Sequence, residues 1–592
     1  MTGTASDSAV AISSWRIRGV VILFASVGLV LVVRLLQIQV WQHQEFQQRA
    51  DQYQTGTEIV PARPGDIVDR EDRVLATSIQ AYSLYLDPSR VSDPQDIADR
   101  LALILPLDAA ALAQRLREAS ASKFLWVQRR LTAEQAVAVR GLGLSTDLCG
   151  FRDEHQRHYP QGPIAAHLLG LRDVDNLGHG GLEEAYDADL RGTPGQREVR
   201  RDARGFVTAV LDSATEPPRN GARIETTIDS LLQLRVERRL QSALDQWQPK
   251  SVTAIVMNPQ TGELLTLACA PTFDPNRPGD VPENAWKNQA IASVFEPGST
   301  FKPLVVAWAL DRGRLERNEL LHCGWGSYRM GRRVLHDHHA YGELSVTDVL
   351  VKSSNVGMAK IGERLENSEL QKLCTAFGFG RSTGLGLPGE LAGIVRPFSE
   401  WNSYSTGSIP MGQELAATPL QIITAHAALA SGGRRIRPRL VRQVGSSPPE
   451  AALEIVAPIV NPDTARWLIA GPMREVVTRG TGKAARIPGY SVFGKTGTAQ
   501  VVDAETGRYS HNRHICSFLC GAPVDDPQLL VLVVLEEPQG PGVQYGGTVA
   551  APIARDVLQL ALEQLHIPPD LPSELPSSRM SDRSSLRDQL RR

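Results

Sequence analysis

From Gly19 to Val33 the chain runs through GVVILFASVGLVLVV without a charge, and after Arg34 the apolar character resumes at Leu35, Leu36, Ile38, Val40 and Trp41. This pattern predicts one membrane helix. The uninterrupted run is short for the ~20 residues that cross a bilayer, but Arg34 can extend to the headgroups, and Trp15 and Trp41 stand where interfacial aromatics lie. A cleaved signal peptide has an apolar stretch of similar length, yet no small-x-small cleavage site follows here, only WQHQEFQQRADQ. Arg16 and Arg18 flank the opposite end. Residues 1–18 are therefore expected to be a cytoplasmic leader and 19–41 an uncleaved anchor, with the rest of the chain beyond the membrane.

Past the anchor the pattern changes twice. Residues 42–248 mix strand-like runs (DIVDR, RVLATS), helical stretches (DIADRLALILP, AAALAQRLREAS) and a Gly-rich joint at Gly192–Gly195, and show no catalytic constellation of their own. The amphipathic stretch IETTIDSLLQLRVERRLQSALDQW then leads into SVTAIVMNPQTGELLTLAC, two apolar runs joined by a turn at Asn258–Gly262. Three more strand candidates, YSVFGKTGTAQVV, HICSFLCGAPV and QLLVLVVLEEP, lie near the other end, with helical stretches at Thr300–Leu310, Thr347–Lys352 and Val356–Leu365 between. The arrangement predicts an α+β fold in which residues 249–566 form an antiparallel sheet flanked by helices. Residues 567–592 are polar and rich in Ser and Pro, which predicts a disordered tail.

Composition narrows the function classes. A length of 592 residues allows two to four folded units. With 42% hydrophobic and 22% charged residues the chain is neither disordered throughout nor a multi-span transporter. Its net charge of -2 offers no basic field for nucleic acid. The cysteines at 149, 269, 323, 374, 516 and 520 are scattered, with no C-x-x-C pair. Cys516 and Cys520 fall on one face of a strand, too far apart along it to bridge, and are expected in the core.

The candidate chemistry begins at Ser299-Thr300-Phe301-Lys302, an S-x-x-K directly after the turn Glu296-Pro297-Gly298. On a helix, positions i and i+3 share a face, so the Lys302 amine is expected within reach of the Ser299 hydroxyl. A serine needs a base to become a nucleophile, and an amine serves only when burial or nearby cations lower its pKa. Alone, the motif also fits a helix-capping serine with a surface lysine one turn on. Two further elements follow in order: Ser353-Ser354-Asn355 between two helical stretches, and Lys495-Thr496-Gly497-Thr498 on a strand. Together they supply a second hydroxyl, an amide to hold a peptide backbone, and a cationic strand for a carboxylate, with Gly497 leaving room for a substrate along the strand edge. The set S-x-x-K, S-x-N and K-T-G is the signature of serine β-lactamases and penicillin-binding proteins.

Over nearly its whole length the chain resembles the class B penicillin-binding proteins, monofunctional D,D-transpeptidases of peptidoglycan. Arg63-Pro64-Gly65-Asp66-Ile67-Val68-Asp69-Arg70, Arg157-His158-Tyr159-Pro160, Ala165-Ala166-His167, Gly181-Leu182-Glu183 and Gly192-Thr193-Pro194-Gly195 resemble signatures of the family's elongated pedestal (dimerisation-type) domain. NPQTGELL, EPGSTFKP, SSNVG, FGFG, TPLQ, KTGTAQ and YGGTVAAP resemble those of its transpeptidase domain. The resemblance implies Ser299 as acylated nucleophile, Lys302 as its base, Ser353 and Asn355 in the proton network and substrate grip, and Lys495, Thr496, Gly497 and Thr498 at the donor carboxylate. It implies an oxyanion hole from the backbone N–H groups of Ser299 and Thr498, no cofactor and no metal. It also implies pentapeptide stems and β-lactams as ligands, and as partners a SEDS-type glycan polymerase in the membrane and other division or elongation proteins. The catalytic domain would face the periplasm or the outside. The anchor leads straight into the pedestal, so no glycosyltransferase region is expected. The motifs leave septation and elongation both open, with the compact membrane-proximal part favouring septation.

Some positions depart from the family pattern. Gln289 stands where arginine is common, and Pro64 splits the usual Arg-Gly pair. The cluster His336-Asp337-His338-His339 with His322-Cys323 invites a zinc reading, but its spacing lacks the tight pairs of structural zinc sites. A β-lactamase would need a device to hydrolyse its acyl-enzyme, and no clear E-x-x-L-N lies between Asn355 and Lys495. A D,D-carboxypeptidase uses water as acceptor, and the pedestal favours the transpeptidase. A β-lactam sensor would carry several membrane spans and a signalling domain, and a silent scaffold would have no reason to keep the catalytic set.

Overall fold

The apolar run at the N-terminus forms α1 (Ser14–Leu36), continued by a wider turn at Gln37–Trp41. The computed structural model to which it belongs describes residues 14–201, 207–447, 458–502, 508–540 and 544–572. Within Trp15–Trp41 an 18-residue window reaches a mean hydropathy of 2.6, and none of it is buried against protein, as a lipid-facing helix requires. Among the described residues it is the one helix long and apolar enough to cross a membrane.

The chain divides into two compact units, one made of residues up to 62, 81–154 and 193–219, the other of 63–80, 155–192 and everything from 220 on. In the first unit Thr55–Val60, Gly195–Arg201 and Val207–Glu216 form an antiparallel sheet. A second pairing joins Tyr82–Leu86 to Leu125–Leu131, and helices Pro94–Ala102 and Ala109–Glu118 close a core of Leu84, Leu86, Leu101, Leu116 and Leu131. Asp93 and Asp108 begin these helices by accepting their free backbone N–H groups.

In the second unit the pedestal signatures serve as internal fastenings. Arg157 Nε and Arg172 Nε each donate to one oxygen of Glu183 at 2.6 Å, and all three side chains are buried. Tyr159 adds its hydroxyl to the same carboxylate at 3.2 Å, and Arg157 reaches the Gly65 carbonyl at 2.7 Å. Asp69, fully buried, accepts from Arg73 Nε at 2.6 Å and from Ser230 Oγ at 2.7 Å. Burial works to raise its pKa, and the Ser230 and Arg73 bonds outweigh it, holding the carboxyl below its usual range.

The same unit holds the sheet foreseen for residues 249–566. Helix α2 (Ser230–Trp247) is followed by β1 (Ser251–Met257) and β2 (Leu264–Ala270). Between the strands, Asn258 Oδ1 accepts from the N–H groups of Gln260 and Thr261, and Gly262 takes φ +77, a left-handed value that glycine adopts without strain. Later come helices α3 (Lys302–Asp311), α4 (Val346–Val351), α5 (Asn355–Ala376) and α6 (Pro419–Ala430), then strands β3 (Phe493–Val502), β4 (Tyr509–Ala522) and β5 (Leu529–Glu536), and helix α7 (Ala550–Gln564). The order across the antiparallel sheet is β2-β1-β5-β4-β3.

Strand β1 is buried on both faces, which is why it reads as one apolar run instead of an alternation. Val252, Ala254 and Val256 face α2 and α7, in one core with Leu240, Phe518, Val533, Ile553 and Val557. Ile255 and Met257 face the other way, in a second core with Leu304, Leu420, Ile423, Leu519 and Leu532. β3 remains an edge strand, and this edge carries Lys495–Thr498.

Three sequence expectations differ in detail. The helix expected from Thr300 begins at Lys302, because Gly298–Phe301 form a tighter 3₁₀ turn. The helix expected to stop at Leu365 continues to Ala376 past a break at Glu366 (φ 62). The tail expected to be free from 567 is held over its first residues: Ser491 N–H donates to Asp570 at 2.8 Å and Tyr490 OH to the Ile567 carbonyl at 2.7 Å. From residue 573 on, that expectation lies outside the described residues.

Candidate active site

Ser299 sits in the 3₁₀ turn Gly298–Phe301, half-buried and open to a ligand, with Lys302 completely buried at the start of α3. The turn is pinned where the chain enters it, by Gly298 N–H to the Gly412 carbonyl at 3.0 Å, and braced internally by Thr300 Oγ1 to the Pro297 carbonyl at 2.7 Å. The tight turn and the buried amine follow from the sequence: Pro303 suits the first turn of a helix, and the apolar run after Lys302 draws α3 into the core.

Ser353 lies on the link between α4 and α5 with φ +58, a left-handed conformation uncommon outside glycine. There its hydroxyl donates to Ser299 Oγ at 3.0 Å and accepts from Lys302 Nζ at 3.2 Å and Lys495 Nζ at 3.1 Å. One donor and two acceptor positions are all that a hydroxyl has, and here all are used. Lys302 Nζ also donates to the Ser353 carbonyl at 2.7 Å and to Asn355 Oδ1 at 2.8 Å. The sequence spacing put Lys302 directly on Ser299. Among the described residues these two side chains share no hydrogen bond: the amine is drawn to Ser353 and Asn355, and Ser353 stands between it and the nucleophile candidate.

Electrostatics bring the neutral amine within reach near neutral pH. Burial, opposed by the nearby Asp337 carboxylate, brings the Lys302 pKa down from 10.5 to about 7. Lys495, fully buried, is held well below the ordinary lysine range, by burial first and then by the Lys302 cation. Its Nζ also bonds the Thr496 carbonyl at 3.2 Å, while Thr496 Oγ1 pairs with Thr481 Oγ1 at 2.9 Å. Thr498 Oγ1 accepts from Gly546 N–H at 3.1 Å. At Gly497 a β-carbon would lie 2.8 Å from the Thr300 methyl and would collide with Ser517 Oγ. The protein itself thus takes up the space that the missing side chain leaves at 497.

Every residue singled out from the sequence, Ser299, Lys302, Ser353, Asn355, Lys495, Thr496, Gly497 and Thr498, comes to this one cleft. Sequence reasoning missed several neighbours. Asp337 accepts from Ser354 Oγ at 2.7 Å and Val356 N–H at 3.1 Å, and from Asn355 N–H, so it anchors the start of α5. In the sequence its place in a His-rich run invited a zinc reading that the spacing disfavoured. Among the described residues no group of three or more His, Cys, Asp or Glu is placed to hold a metal ion. His338 meets the ring of Tyr545 edge-on at 5.8 Å, and its pKa is lowered by burial and then by Lys302. Cys516 and Cys520 are free thiols in the core on the α7 side.

Comparison with known proteins decides the family. A model described as the penicillin binding protein transpeptidase domain matches residues 252–559, and one described as the penicillin-binding protein dimerisation domain matches 58–226. The chain is 33% identical over 563 residues to the probable peptidoglycan D,D-transpeptidase PenA of Neisseria meningitidis, covering 94% of this chain and 93% of that one. The chain belongs to the class B penicillin-binding proteins. To the peptidoglycan D,D-transpeptidase FtsI of Escherichia coli, this penicillin-binding protein is 33% identical over 548 residues, 91% of its own length and 90% of FtsI. It also superimposes on penicillin binding protein 3 from Mycobacterium tuberculosis, solved in complex with aztreonam, with a TM-score of 0.66 and 28% identity, over 88% of this chain and 100% of that one.

Proposed function

We propose that the protein is a peptidoglycan D,D-transpeptidase that cross-links stem peptides through an acyl-enzyme on Ser299, and that β-lactams acylate the same residue. The observation that carries this reading is the Ser353 hydroxyl, which bonds at once to Ser299 Oγ at 3.0 Å, Lys302 Nζ at 3.2 Å and Lys495 Nζ at 3.1 Å. In this reading the neutral Lys302 amine acts as the base: Ser353 gives its proton to Lys302 Nζ as it takes the one from Ser299, both hydrogen bonds turning round from their resting directions. Ser299 Oγ bonds to the carbonyl carbon of the penultimate D-alanine of a pentapeptide, the C–N bond to the terminal D-alanine breaks, and the proton passes to the leaving amine. An amine of a neighbouring stem then attacks the ester and frees Ser299.

The donor peptide lies along the free edge of β3 as an added strand. Lys495, Thr496 and Thr498 hold its carboxylate, Asn355 holds its amide, and the N–H groups of Ser299 and Thr498 stabilise the oxyanion. The anchor α1 crosses the cytoplasmic membrane once with residues 1–18 inside, so that everything past Trp41 works in the periplasm or outside the cell. The pedestal, residues 42–248, joins this chemistry to other cell-wall proteins, a SEDS-type polymerase among them, during division or elongation.

The reading is tested with detergent-solubilised full-length protein, a stem pentapeptide ending in D-Ala-D-Ala, and a labelled D-amino acid as acceptor. Native protein is expected to release D-alanine and incorporate the label, and Ser299→Ala to do neither. Release without incorporation favours a carboxypeptidase, and turnover by Ser299→Ala removes Ser299 from the role.

A further inference from the structure

Helix α6 is apolar over most of its length, yet His426 stands in it at 1% exposure. Its Nε2 lies 2.8 Å from the carbonyl oxygen of Thr300, and its Nδ1, buried, has no hydrogen-bond partner among the described residues. A carbonyl can only accept, so the ring carries its proton on Nε2 and leaves the Nδ1 lone pair unused. Burial pulls its pKa down to about 4, opposed by the Thr300 carbonyl and assisted by the Lys495 cation. The ring is therefore neutral at ordinary pH. A half-satisfied imidazole in an apolar helix costs free energy that an aliphatic residue would not, so a reason for the residue has to be sought in what its one bond does.

That bond ends one residue past Ser299. The Gly298–Gly412 bond fixes where the chain enters the nucleophile turn, and the Thr300–Pro297 bond braces it from within. The His426 ring clamps the carbonyl of Thr300, just before the turn becomes α3. The bond from Gly412 holds the peptide before Gly298 and the bond from His426 holds the peptide after Thr300, so the two peptide groups that flank Ser299 are fixed from both ends, and with them the direction of its hydroxyl toward Ser353.

We propose that His426 is a positioning residue for acyl transfer: its Nε2–H holds the Thr300 carbonyl and so aims Ser299 at Ser353. A neutral donor does this without placing a cation beside Lys495, which arginine or lysine would do. The role rests on the reading of Ser299 as the nucleophile and extends it to a residue more than a hundred positions away in the chain.

The test compares His426→Gln with His426→Met in full-length protein, two unbranched side chains of similar length of which only glutamine donates a hydrogen bond. Stopped-flow acylation by a fluorescent penicillin separates the limiting acylation rate from non-covalent binding. The methionine variant is expected to lose about 10²-fold in limiting rate, with binding changed by less than about twofold, and the glutamine variant to recover at least about tenfold of that loss. Equal rates in the two variants would overturn the proposal. Loss of folded protein in both would overturn it too, since the residue would then be a core element and not an aiming device. Ser299→Ala runs in the same assay: covalent labelling there defeats the nucleophile reading itself, whereas an inert Ser299→Ala beside equal glutamine and methionine variants defeats the role of His426 alone.

Discussion

The Ser353 hydroxyl donates to Ser299 Oγ across 3.0 Å while accepting from Lys302 Nζ at 3.2 Å, so the buried amine proposed as base is linked to the proposed nucleophile through a second serine. Substituting Ser353 by alanine removes that path and leaves Lys302 and Lys495 without the acceptor they share. The limiting acylation rate should fall by about 10²- to 10⁴-fold, the range of general acid–base contributions. Stopped-flow measurement with a fluorescent penicillin checks this, and a Ser353→Ala protein acylating at the native rate would contradict the relay.

A base with a pKa of about 7 makes acylation depend on pH. Only the neutral amine accepts a proton, so the rate should rise with pH through about 7 and level off above it. Stability carries the same signature. The folded amine loses its proton near 7 and the unfolded one near 10.5, so between these values the unfolded chain binds more protons, and the Lys302 contribution to stability rises with pH across that window. Denaturant unfolding at pH 7 and pH 9 should show a smaller gain with pH for Lys302→Met than for the native protein.

Glu183 bonds Arg157 and Arg172 at 2.6 Å each with all three side chains buried. Glu183→Gln leaves the buried Arg157 guanidinium without its counter-charge and Arg172 with Asp187 alone at 2.9 Å, and should cost about 3–5 kcal/mol of stability. Acylation per folded molecule should not change, because none of the three belongs to the Ser299 cleft. Equilibrium denaturation beside active-site titration tests both halves.

A β-carbon at position 497 would lie 2.8 Å from the Thr300 methyl. Gly497→Ala should therefore push β3 and the nucleophile turn apart, costing about 1–3 kcal/mol and lowering the acylation rate by about tenfold or more. Since Ser517 Oγ meets the same β-carbon, a second change, Ser517→Gly, should restore part of the loss, as the double variant would show.

The sheet and the candidate catalytic positions were legible in the sequence for different reasons. β1 and β2 announce themselves as apolar runs around an Asn-Pro-Gln-Thr-Gly turn, and a strand buried on both faces leaves no other pattern. Ser299, Lys302, Ser353, Asn355 and Lys495 stand in short ordered motifs whose spacing is local. What local spacing could not give is the third dimension. The i, i+3 rule joined Lys302 to Ser299, while the left-handed turn at Ser353, 51 residues away from Lys302, captures the amine instead. His426 is more than a hundred residues from Thr300, and Thr481 lies 15 before Thr496. Neither looks like anything but a helix or loop residue until the fold brings it in. Asp337 was visible but was weighed with its histidine neighbours, whereas its work is to anchor the start of α5.

The most direct measurement is covalent labelling of the full-length protein by a fluorescent penicillin, native beside Ser299→Ala, with the adduct located by mass spectrometry of the digest. The account predicts a single adduct on the peptide that contains Ser299 and none on the alanine protein. An adduct on another residue, or a folded native protein that takes no label, would contradict it.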